Sequence, residues 1–297
     1  MNTMMVVAFM AQTLRIAVPY LFAGAGGVMS ERAGLIALTL EGYMLGGAFG
    51  AAVGSYYSGS PIVGALFGMV IGTGLALLYA VSALRFRANQ VVTGVAINLL
   101  VVGLTRFFLR LLFDSSSNSP RVPGFGRADT GSGFGALALN PLVYAGLLSL
   151  LLVGWVLMRT AFGLRVRAVG EHPEAAASVG VNVARTRYLA VAASGALAAL
   201  GGVYLALDQH QFTDQMTAGR GFIALAATIF GRWEPKRVAF ACLLFAAAET
   251  FQIQLQGTQL LPSQFVEMIP YVLTIVALAG VVGRAVPPAA LGRDEPA

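Results

Sequence analysis

Carboxylate and amide side chains stand inside or at the ends of long apolar stretches of the sequence, where a strongly polar group is unfavourable unless protein or water surrounds it. Three of them, Glu249, Gln252 and Gln256, are offset by three and seven residues and therefore share one face of a helix. Such residues either hydrogen-bond between helices or line a wet passage. Both readings stay open for Glu41, whereas the three-residue stripe favours a passage. The six predicted pathway residues are Glu41, Gln90, Asn98, Glu249, Gln252 and Gln256.

The sequence contains no arrangement of residues typical of an enzyme. His172 and His210 are far apart in loops predicted on opposite sides of a membrane, so they form neither a metal cluster nor a catalytic set. Cys242 is the single cysteine, which excludes a disulfide framework and a cysteine-based metal site. Lys236 is the single lysine, and no P-loop motif surrounds it, so the chain itself does not bind ATP in that manner. We therefore expect no catalytic residue, no metal and no cofactor.

The composition indicates a membrane protein with several helical spans. Of the 297 residues, 57% are hydrophobic and 11% are charged, whereas soluble domains are roughly 25% charged. The mean hydropathy is +0.77. The apolar runs are about 20 residues long, as helices that cross a hydrocarbon core of about 30 Å must be. The net charge of +6 comes from arginines at the ends of these runs, where they orient the chain, so we expect no nucleic-acid binding.

We predict a polytopic, all-α transmembrane bundle of about nine spans, eight to ten, with the single domain covering residues 1–297 and the amino terminus outside. The count depends on two stretches. Residues 4–29 hold Arg15 and Pro19, which predicts a kink or a late start. Residues 221–230 are too short to cross alone, so they either recruit residues from about Gln215 or form a partial helix buried by its neighbours. The predicted spans are 4–29, 33–55, 61–84, 90–113, 141–158, 189–207, 221–230, 238–255 and 265–282, with 114–140 an external loop rich in Ser, Gly and Pro.

Glycines recur every four residues in the second and third predicted spans. Rows of small residues at this spacing let helix backbones approach closely in lipid, where no hydrophobic effect drives helices together. We therefore expect these two helices to pack tightly against each other. The rows are Gly42, Gly46, Gly50 and Gly54 in the second span, and Gly64, Gly68 and Gly72 in the third.

Residues 159–188 form the longest polar interval that is closely flanked by two apolar runs. Pro173 begins a good helix-forming run within it, and Gly180 follows the end of that run, as expected for a short helix. Glu174 complements the positive end of this helix. A short capped helix between two spans suits contact with a cytoplasmic partner, although an ordinary connector has the same pattern. Five arginines place the interval in the cytoplasm: Arg159, Arg165, Arg167, Arg185 and Arg187.

The spacing Glu174-Ala175-Ala176-x-x-x-Gly180 resembles the E-A-A-x-x-x-G loop of ABC-importer permeases. Four longer stretches resemble permease subunits of nucleoside-type ABC importers, within the simple-sugar and branched-chain amino acid permease group. The resemblance covers nearly the whole chain apart from the termini and the loop at 114–140. The stretches are SERAGLIALTLEGYMLGGAFGA (30–51), RANQVVTGVAINLL (87–100), GLRVRAVGEHPEAAASVGVNVARTRYLAVAASGALAALGGVYLAL (163–207) and AGRGFIALAATIFGRWEP (218–235).

The resemblance implies a permease subunit that moves nucleosides into the cytoplasm across the cell membrane of a prokaryote, and that leaves ATP hydrolysis to another subunit. It implies three protein partners in the lipid bilayer or at its surfaces. These are a double-length ATPase, a second permease subunit that is a paralogue or a second copy, and a substrate-binding lipoprotein. The positions that match the ATPase-docking motif are Glu174, Ala175, Ala176 and Gly180.

Two alternatives stay open beside the nucleoside permease. One is a sugar permease of the same group. The other is an ion-coupled secondary transporter with Glu41 or Glu249 as proton carrier, which the docking loop argues against because such carriers have no ATPase. The sequence departs from the family pattern at Ala37 to Thr39, at Gln90 and at His172. The first two lie where substrate or gate contacts are expected, so they bear on the choice of ligand.

Overall fold

The computed structural model describes residues 3–125, 140–256, 268, 272 and 286–293. Within these ranges the regular secondary structure is helical, and the β contact is an isolated antiparallel bridge between Asn118 and Thr213. The predicted all-α class is confirmed for this part of the chain. The helices are α1 (Thr3–Glu31), α2 (Leu40–Ser58), α3 (Pro61–Ala80) with a π-helical turn after it (Val81–Arg85), α4 (Gln90–Phe113), α5 (Pro141–Arg159), α6 (Ala161–Glu171), α7 (Pro173–Ser178), α8 (Val183–Asp208), α9 (Arg220–Phe230) and α10 (Pro235–Gln256).

Several helices begin where the sequence provides a capping side chain. Asn89 Oδ1 accepts hydrogen bonds from the N–H groups of Val91 and Val92, at 3.0 and 3.1 Å, and so fixes the start of α4. Asn182 Oδ1 accepts from Arg185 N at 2.8 Å at the start of α8. Each cap satisfies backbone donors that the first turn of a helix leaves without a partner. The boundaries of the apolar runs are therefore set by local chemistry as well as by hydropathy.

Six helices among the described residues are long and apolar enough to cross a membrane, which makes this a multi-pass membrane protein. They correspond to the first, third, fourth, fifth, sixth and eighth predicted spans. The ninth predicted span, 265–282, lies outside the described part of the chain except for Met268 and Val272. A total of about nine spans therefore stays a prediction. The six segments are Val6–Glu31, Pro61–Arg85, Gln90–Phe113, Pro141–Arg159, Val183–Asp208 and Pro235–Gln256.

The second and seventh predicted spans differ from the simple expectation. Helix α2 begins at Leu40 and not at residue 33. Residues 34, 38 and 39 lie in turns, residues 35–37 have no regular secondary structure, and Gly34 has φ +91°. Helix α9 has 11 residues, so it is about 16 Å long and crosses roughly half of the hydrocarbon core. Of the two predictions for residues 221–230, the partial helix is the one confirmed.

Helix α2 lies at the centre of the bundle between α3 and α8, and glycines make these contacts possible. A Cβ added at Gly64 would lie 2.6 Å from the carbonyl oxygen of Ala51, and one added at Gly72 would lie 2.8 Å from that of Gly195. A Cβ at Gly202 would collide with the carbonyl oxygen of Met44. The predicted close packing of α2 on α3 is confirmed, and α8 joins the same contact with its own small residues.

The outer helices surround this centre and carry the apolar surface. Helix α1 packs against α8 and α10 and is continuous through Pro19, so it does not begin late. Large apolar side chains remain exposed on α3, α4 and α5, among them Leu66, Leu99 and Leu152. In a membrane protein such residues face lipid or another subunit, because both surroundings are apolar.

Candidate functional site

The non-helical backbone that precedes α2 is held by side chains of α3 and α4. Gln90 Oε1 accepts a hydrogen bond from Ile36 N at 2.9 Å, and the Tyr79 hydroxyl donates to Ile36 O at 2.7 Å. Asn98 Nδ2 donates to Leu38 O at 2.9 Å, while its Oδ1 accepts from Gly42 N at 2.9 Å. Irregular backbone inside a membrane protein requires such partners because lipid offers none. Gln90 and Asn98, both predicted pathway residues, therefore position the segment that leads into α2.

Glu41 binds the start of the half-length helix α9. Its Oε1 accepts hydrogen bonds from Thr217 Oγ1 at 2.6 Å and from Gly219 N at 2.9 Å, and its Oε2 accepts from Gly221 N at 2.7 Å. The amino-terminal end of a helix presents free N–H groups and positive potential, which favour a carboxylate. Glycine is required at Gly221, because a Cβ there would lie 2.5 Å from Glu41 Cα. The carboxylate thus joins α2 to α9 in the interior.

Glu249 forms an ion pair within the bundle. Its Oε1 lies 2.7 Å from Arg220 Nη2, and the side chains are 16% and 22% exposed respectively. The Tyr20 hydroxyl donates to the other oxygen at 2.5 Å. Because Arg220 is the first residue of α9, this pair ties α1, α9 and α10 together beside the contact made by Glu41.

The structure brings four of the six predicted pathway residues to one junction and leaves two further along α10. Glu41 and Glu249 bind residues of the same 217–221 turn, and Asn98 binds Gly42, next to Glu41. Gln90 accepts a hydrogen bond from Ile36 N, in the backbone segment that precedes α2. Gln252 is half-buried, one turn beyond Glu249, and Gln256 is exposed, two turns beyond it. Glu41, Gln90, Asn98 and Glu249 all form hydrogen bonds to other parts of the chain, as residues that join helices do.

Sequence reasoning missed Arg220 and Thr217, which lie between the predicted spans 189–207 and 221–230. The available signal was Glu249 itself, since a carboxylate inside a span almost always has a cationic or hydrogen-bonding partner. Arg220 stands beside an apolar run too short to cross the membrane, so it was the arginine best placed to supply that partner. An arginine at the start of a short apolar run and a glutamate inside another span together indicate an ion pair between the two helices.

The turn before α9 is closed from the other side by the predicted external loop. Ser119 N donates to Phe212 O at 2.8 Å, and Asp214 N donates to Ser117 O at 2.8 Å. Phe212 is fully buried and meets Phe49 of α2 edge to face, with ring centroids 5.2 Å apart. This end of the bundle is therefore covered by residues 209–219 together with residues 117–122. Residues 126–139 of the predicted external loop lie outside the described part of the chain.

Two ion pairs join the ends of this cover to the helices around it. Arg15 Nη2 lies 2.7 Å from Asp208 Oδ2, and Arg106 Nε lies 2.9 Å from Asp214 Oδ2. Both arginines are about half exposed, so each pair contributes little to stability on its own. Together they hold the turn between α8 and α9 over the junction.

The predicted short helix between the fifth and sixth spans is present as α7, and α6 precedes it. Gly180 follows the helix with φ +84°, a backbone conformation that favours glycine. Glu174 and Ala175 are exposed, Ala176 is buried, and Gly180 is exposed. Val179, which the sequence analysis did not single out, is 78% exposed at the tip. An exposed apolar side chain beside a left-handed glycine turn is available for contact with another protein.

Helix α6 connects this tip to the pre-α2 backbone. A side chain at Gly170 would collide with the carbonyl oxygen of Arg32, so the end of α6 lies directly on that residue. Arg32 Nε donates to Trp233 O at 3.0 Å, and its Nη1 lies 3.9 Å from Glu171 Oε1. Burial and the nearby Arg167 lower the pKa of Arg32, against the opposing effect of Glu171 and Glu234. The guanidinium thus joins α6 to the turn between α9 and α10.

A glutamate at the end of α1 completes this connection. Glu31 Oε1 accepts a hydrogen bond from Ala37 N at 3.2 Å, and its other oxygen accepts one from the buried indole N–H of Trp233. Trp233 has φ +55° and Arg232 has φ +53°, so the turn that presents the indole is strained. Packed contacts therefore run from α7 through Gly170 to the backbone that Gln90 and Asn98 hold.

Comparison with known proteins assigns this architecture to a family. Residues 9–278 match the family described as the permease component of branched-chain amino acid transport systems. The chain belongs to this permease family. It is therefore a transport component and not an enzyme, and permeases of this kind operate with an ATPase and a substrate-binding component. No solved structure matches the chain.

Three similar permeases differ in what their names say they carry. The guanosine ABC transporter permease protein NupQ of Bacillus subtilis is 37% identical, with 94% of this chain and 93% of the relative covered. The nucleoside ABC transporter permease protein NupC of Lactococcus lactis is 35% identical, with coverage of 98% and 96%. The putative glucose ABC transporter permease protein TsgC13 of Haloferax volcanii is 36% identical, with coverage of 84% and 78%.

Proposed function

We propose that this permease imports nucleosides through the cytoplasmic membrane of a prokaryote, as one subunit of an ABC importer. The observation that carries the proposal is the similarity over nearly the full length to permeases named for guanosine and for nucleosides. The interior chemistry agrees with it. A nucleoside offers many donors and acceptors and little charge, which suits amides and already paired carboxylates better than unpaired arginines.

The proposed passage runs beside the junction of α2, α4, α9 and α10. Glu41, Gln90, Asn98 and Glu249 act there by positioning the pre-α2 backbone and the start of α9, and Gln252 and Gln256 continue the polar side of α10. Two features support this arrangement. The backbone of residues 34–39 and the start of α9 are irregular inside the bundle, and irregular backbone at membrane depth is typical of substrate sites in transporters.

The proposed ATPase contact is α7 and the turn after it, with Glu174, Ala175, Ala176 and Gly180. The exposed Val179 lies between these residues and is suited to fill an apolar pocket on the ATPase. Movement of α7 would reach the junction through Gly170 and Arg32, which are already in contact. A second permease subunit and a substrate-binding lipoprotein complete the proposed complex.

A sugar permease is the second candidate, because the Haloferax volcanii relative named for glucose has nearly the same identity as the two nucleoside permeases. The ion-coupled carrier has no such support among these relatives.

Competition for uptake separates the two candidates. The permease is expressed with its partner subunits in a host strain that lacks nucleoside uptake, and entry of labelled guanosine is measured. Unlabelled adenosine and uridine are expected to compete, whereas ribose and glucose are not. Uptake of labelled glucose, with no uptake of guanosine, would overturn the nucleoside assignment in favour of a sugar.

A further inference from the structure

A basic cavity of about 280 Å³ lies where the ends of α3, α4 and α8 meet the carboxyl-terminal segment 286–293. Gln90 and Tyr188 form part of its wall, and the described residues that line it include no carboxylate. Its four positive charges are contributed by Arg85, Arg87, Arg187 and Arg293. The cavity wall does not include Glu41 or Glu249, and it shares Gln90 with the residues that hold the pre-α2 backbone.

The arginines of the cavity are arranged to attract an anion. Arg187 is 6% exposed and donates from Nε to Ala33 O, so it forms part of the buried wall. Arg85, Arg87 and Arg293 are exposed around it, and none of these three takes part in the ion pairs that the described residues form. Guanidinium groups bind phosphate oxygens with two parallel hydrogen bonds, which makes phosphate the favoured anionic group.

The apolar side chains around the cavity suit a lipid as the ligand better than a soluble anion. Phe86 is 72% exposed, and the neighbouring faces of α4 and α8 expose Val92 and Leu189 at 67% and 49%. These apolar side chains continue toward the middle of the bilayer along α4, where Leu99 is 68% exposed. We propose that the cavity binds the phosphate of an anionic phospholipid, with the acyl chains along α4. Basic pockets between spans at the cytoplasmic surface suit such headgroups.

A headgroup in this cavity would contact residues that hold the backbone before α2. Gln90 accepts from Ile36 N at 2.9 Å, and Arg187 Nε donates to Ala33 O at 3.2 Å. Both side chains line the cavity. Bound lipid would restrain their motion and therefore that of residues 33–36. Anionic lipid is expected to increase thermal stability and transport together, because both depend on this segment.

Direct lipid binding tests the proposal on the full-length permease in neutral detergent after delipidation. Dioctanoyl phosphatidylglycerol, dioctanoyl phosphatidylcholine and inorganic phosphate are added separately, and bound molecules are counted by native mass spectrometry. Phosphatidylglycerol is expected to bind at least about tenfold more tightly than phosphatidylcholine, and replacing Arg85→Gln together with Arg87→Gln should remove about that factor. Arg110→Gln is the matched control, since Arg110 is exposed at the opposite end of α4.

Three outcomes would overturn the proposal. Equal binding of phosphatidylcholine would show an apolar groove without headgroup recognition. Saturable binding of inorganic phosphate as tight as that of phosphatidylglycerol would identify a soluble anion as the ligand. Unchanged phosphatidylglycerol binding in the double variant, with weaker association of the ATPase subunit, would assign the arginines to a protein interface. Because the replaced side chains are exposed, each variant is expected to retain its helices, and circular dichroism checks this.

Discussion

Arg220 Nη2 lies 2.7 Å from Glu249 Oε1 in the interior of the bundle, which joins the first residue of the half-length helix α9 to the last third of α10. The Tyr20 hydroxyl of α1 binds the other oxygen of the same carboxylate. One carboxylate therefore holds three helices beside the turn that Glu41 binds. This relationship makes the start of α9 a fixed point of the structure, since two acidic side chains from different helices bind residues 217–221.

Breaking the Arg220–Glu249 pair is expected to destabilise the permease. Arg220→Gln leaves a largely buried carboxylate without its cation, and the expected loss is about 2–4 kcal/mol after allowance for partial exposure. The thermal midpoint of the purified protein in detergent measures it. Arg106→Gln is the control, because the Arg106–Asp214 pair has one partner that is 51% exposed and should contribute less than about 1 kcal/mol. Equal effects of the two replacements would contradict the interior role of Arg220.

Replacement of a glycine of α3 by alanine is expected to destabilise the protein where another helix lies close to that glycine, and not where the space beside it is open. A Cβ at Gly68 would collide with the carbonyl oxygen of Gly47 and lie 2.6 Å from Val203 Cγ2, whereas a Cβ at Gly74 would meet nothing within 4 Å. Gly68→Ala should therefore destabilise the protein by about 1–3 kcal/mol. Gly74→Ala should be neutral or stabilising by up to about 1 kcal/mol, because alanine favours the helix.

The same measurement refines the prediction for the second span. Next to Gly46 the nearest atom, at 2.6 Å from an added Cβ, is the end of the Leu75 side chain, which can move. Gly46→Ala should thus destabilise less than Gly68→Ala. If Gly68→Ala and Gly74→Ala melt at the same temperature, the backbones of α2 and α3 are not in close contact.

Patterns local in sequence predicted the fold well. Gly64, Gly68 and Gly72 are spaced as close-packed helix faces require, and α3 does lie against α2 and α8 with these residues. Pro173 and Gly180 bracket α7 because proline and glycine act on the backbone conformation of their own turn. In both cases the cause and its structural effect lie within a few residues of each other.

Features that depend on distant partners were not predictable in the same way. Gln90 and Asn98 bind backbone atoms of residues 36–42, over 50 positions away. Nothing in the apolar run from residue 33 indicates that its first turns are not helical. Arg220 was assigned to a loop because hydropathy alone treats a charged residue as the edge of a span. The identity of a polar residue's partner is a tertiary property, and only its need for a partner can be inferred from sequence.

Cysteine accessibility tests whether the polar stripe of α10 lines the proposed passage. Single cysteines replace Gln252 or Gln256 after Cys242→Ala, which removes the buried native thiol. Both are expected to react with small water-soluble thiol reagents, at rates that substrate or ATP changes. Leu152→Cys is the control, because Leu152 is 57% exposed on the apolar face of α5 and should stay unreactive in lipid. Equal inertness at all three positions would assign the stripe to interhelical hydrogen bonding.

Changes at the tip of α7 are expected to uncouple the permease from its ATPase. Glu174→Lys reverses a charge, Val179→Asp places a carboxylate at an exposed apolar position, and Gly180→Leu strains a residue at φ +84° by about 1–2 kcal/mol. Each should weaken co-purification of the ATPase at least about tenfold. Glu174→Lys and Val179→Asp should leave the thermal midpoint nearly unchanged, whereas Gly180→Leu should lower it because of its backbone strain. Ser116→Lys, exposed in the predicted external loop, is the control. Full co-purification of the combined α7 variant would contradict the docking role.

ATP-driven release of labelled guanosine from the lumen of proteoliposomes tests the central claim most directly. The permease is reconstituted with its partner subunits, the ATPase nucleotide sites face outward, and the binding component is enclosed with the substrate, so transport is measured as substrate leaving the lumen. The account predicts export from the lumen that requires ATP, stops with a hydrolysis-deficient ATPase and is lost with Glu174→Lys. Guanosine movement that proceeds without ATP, or that follows an imposed proton gradient instead, would contradict it.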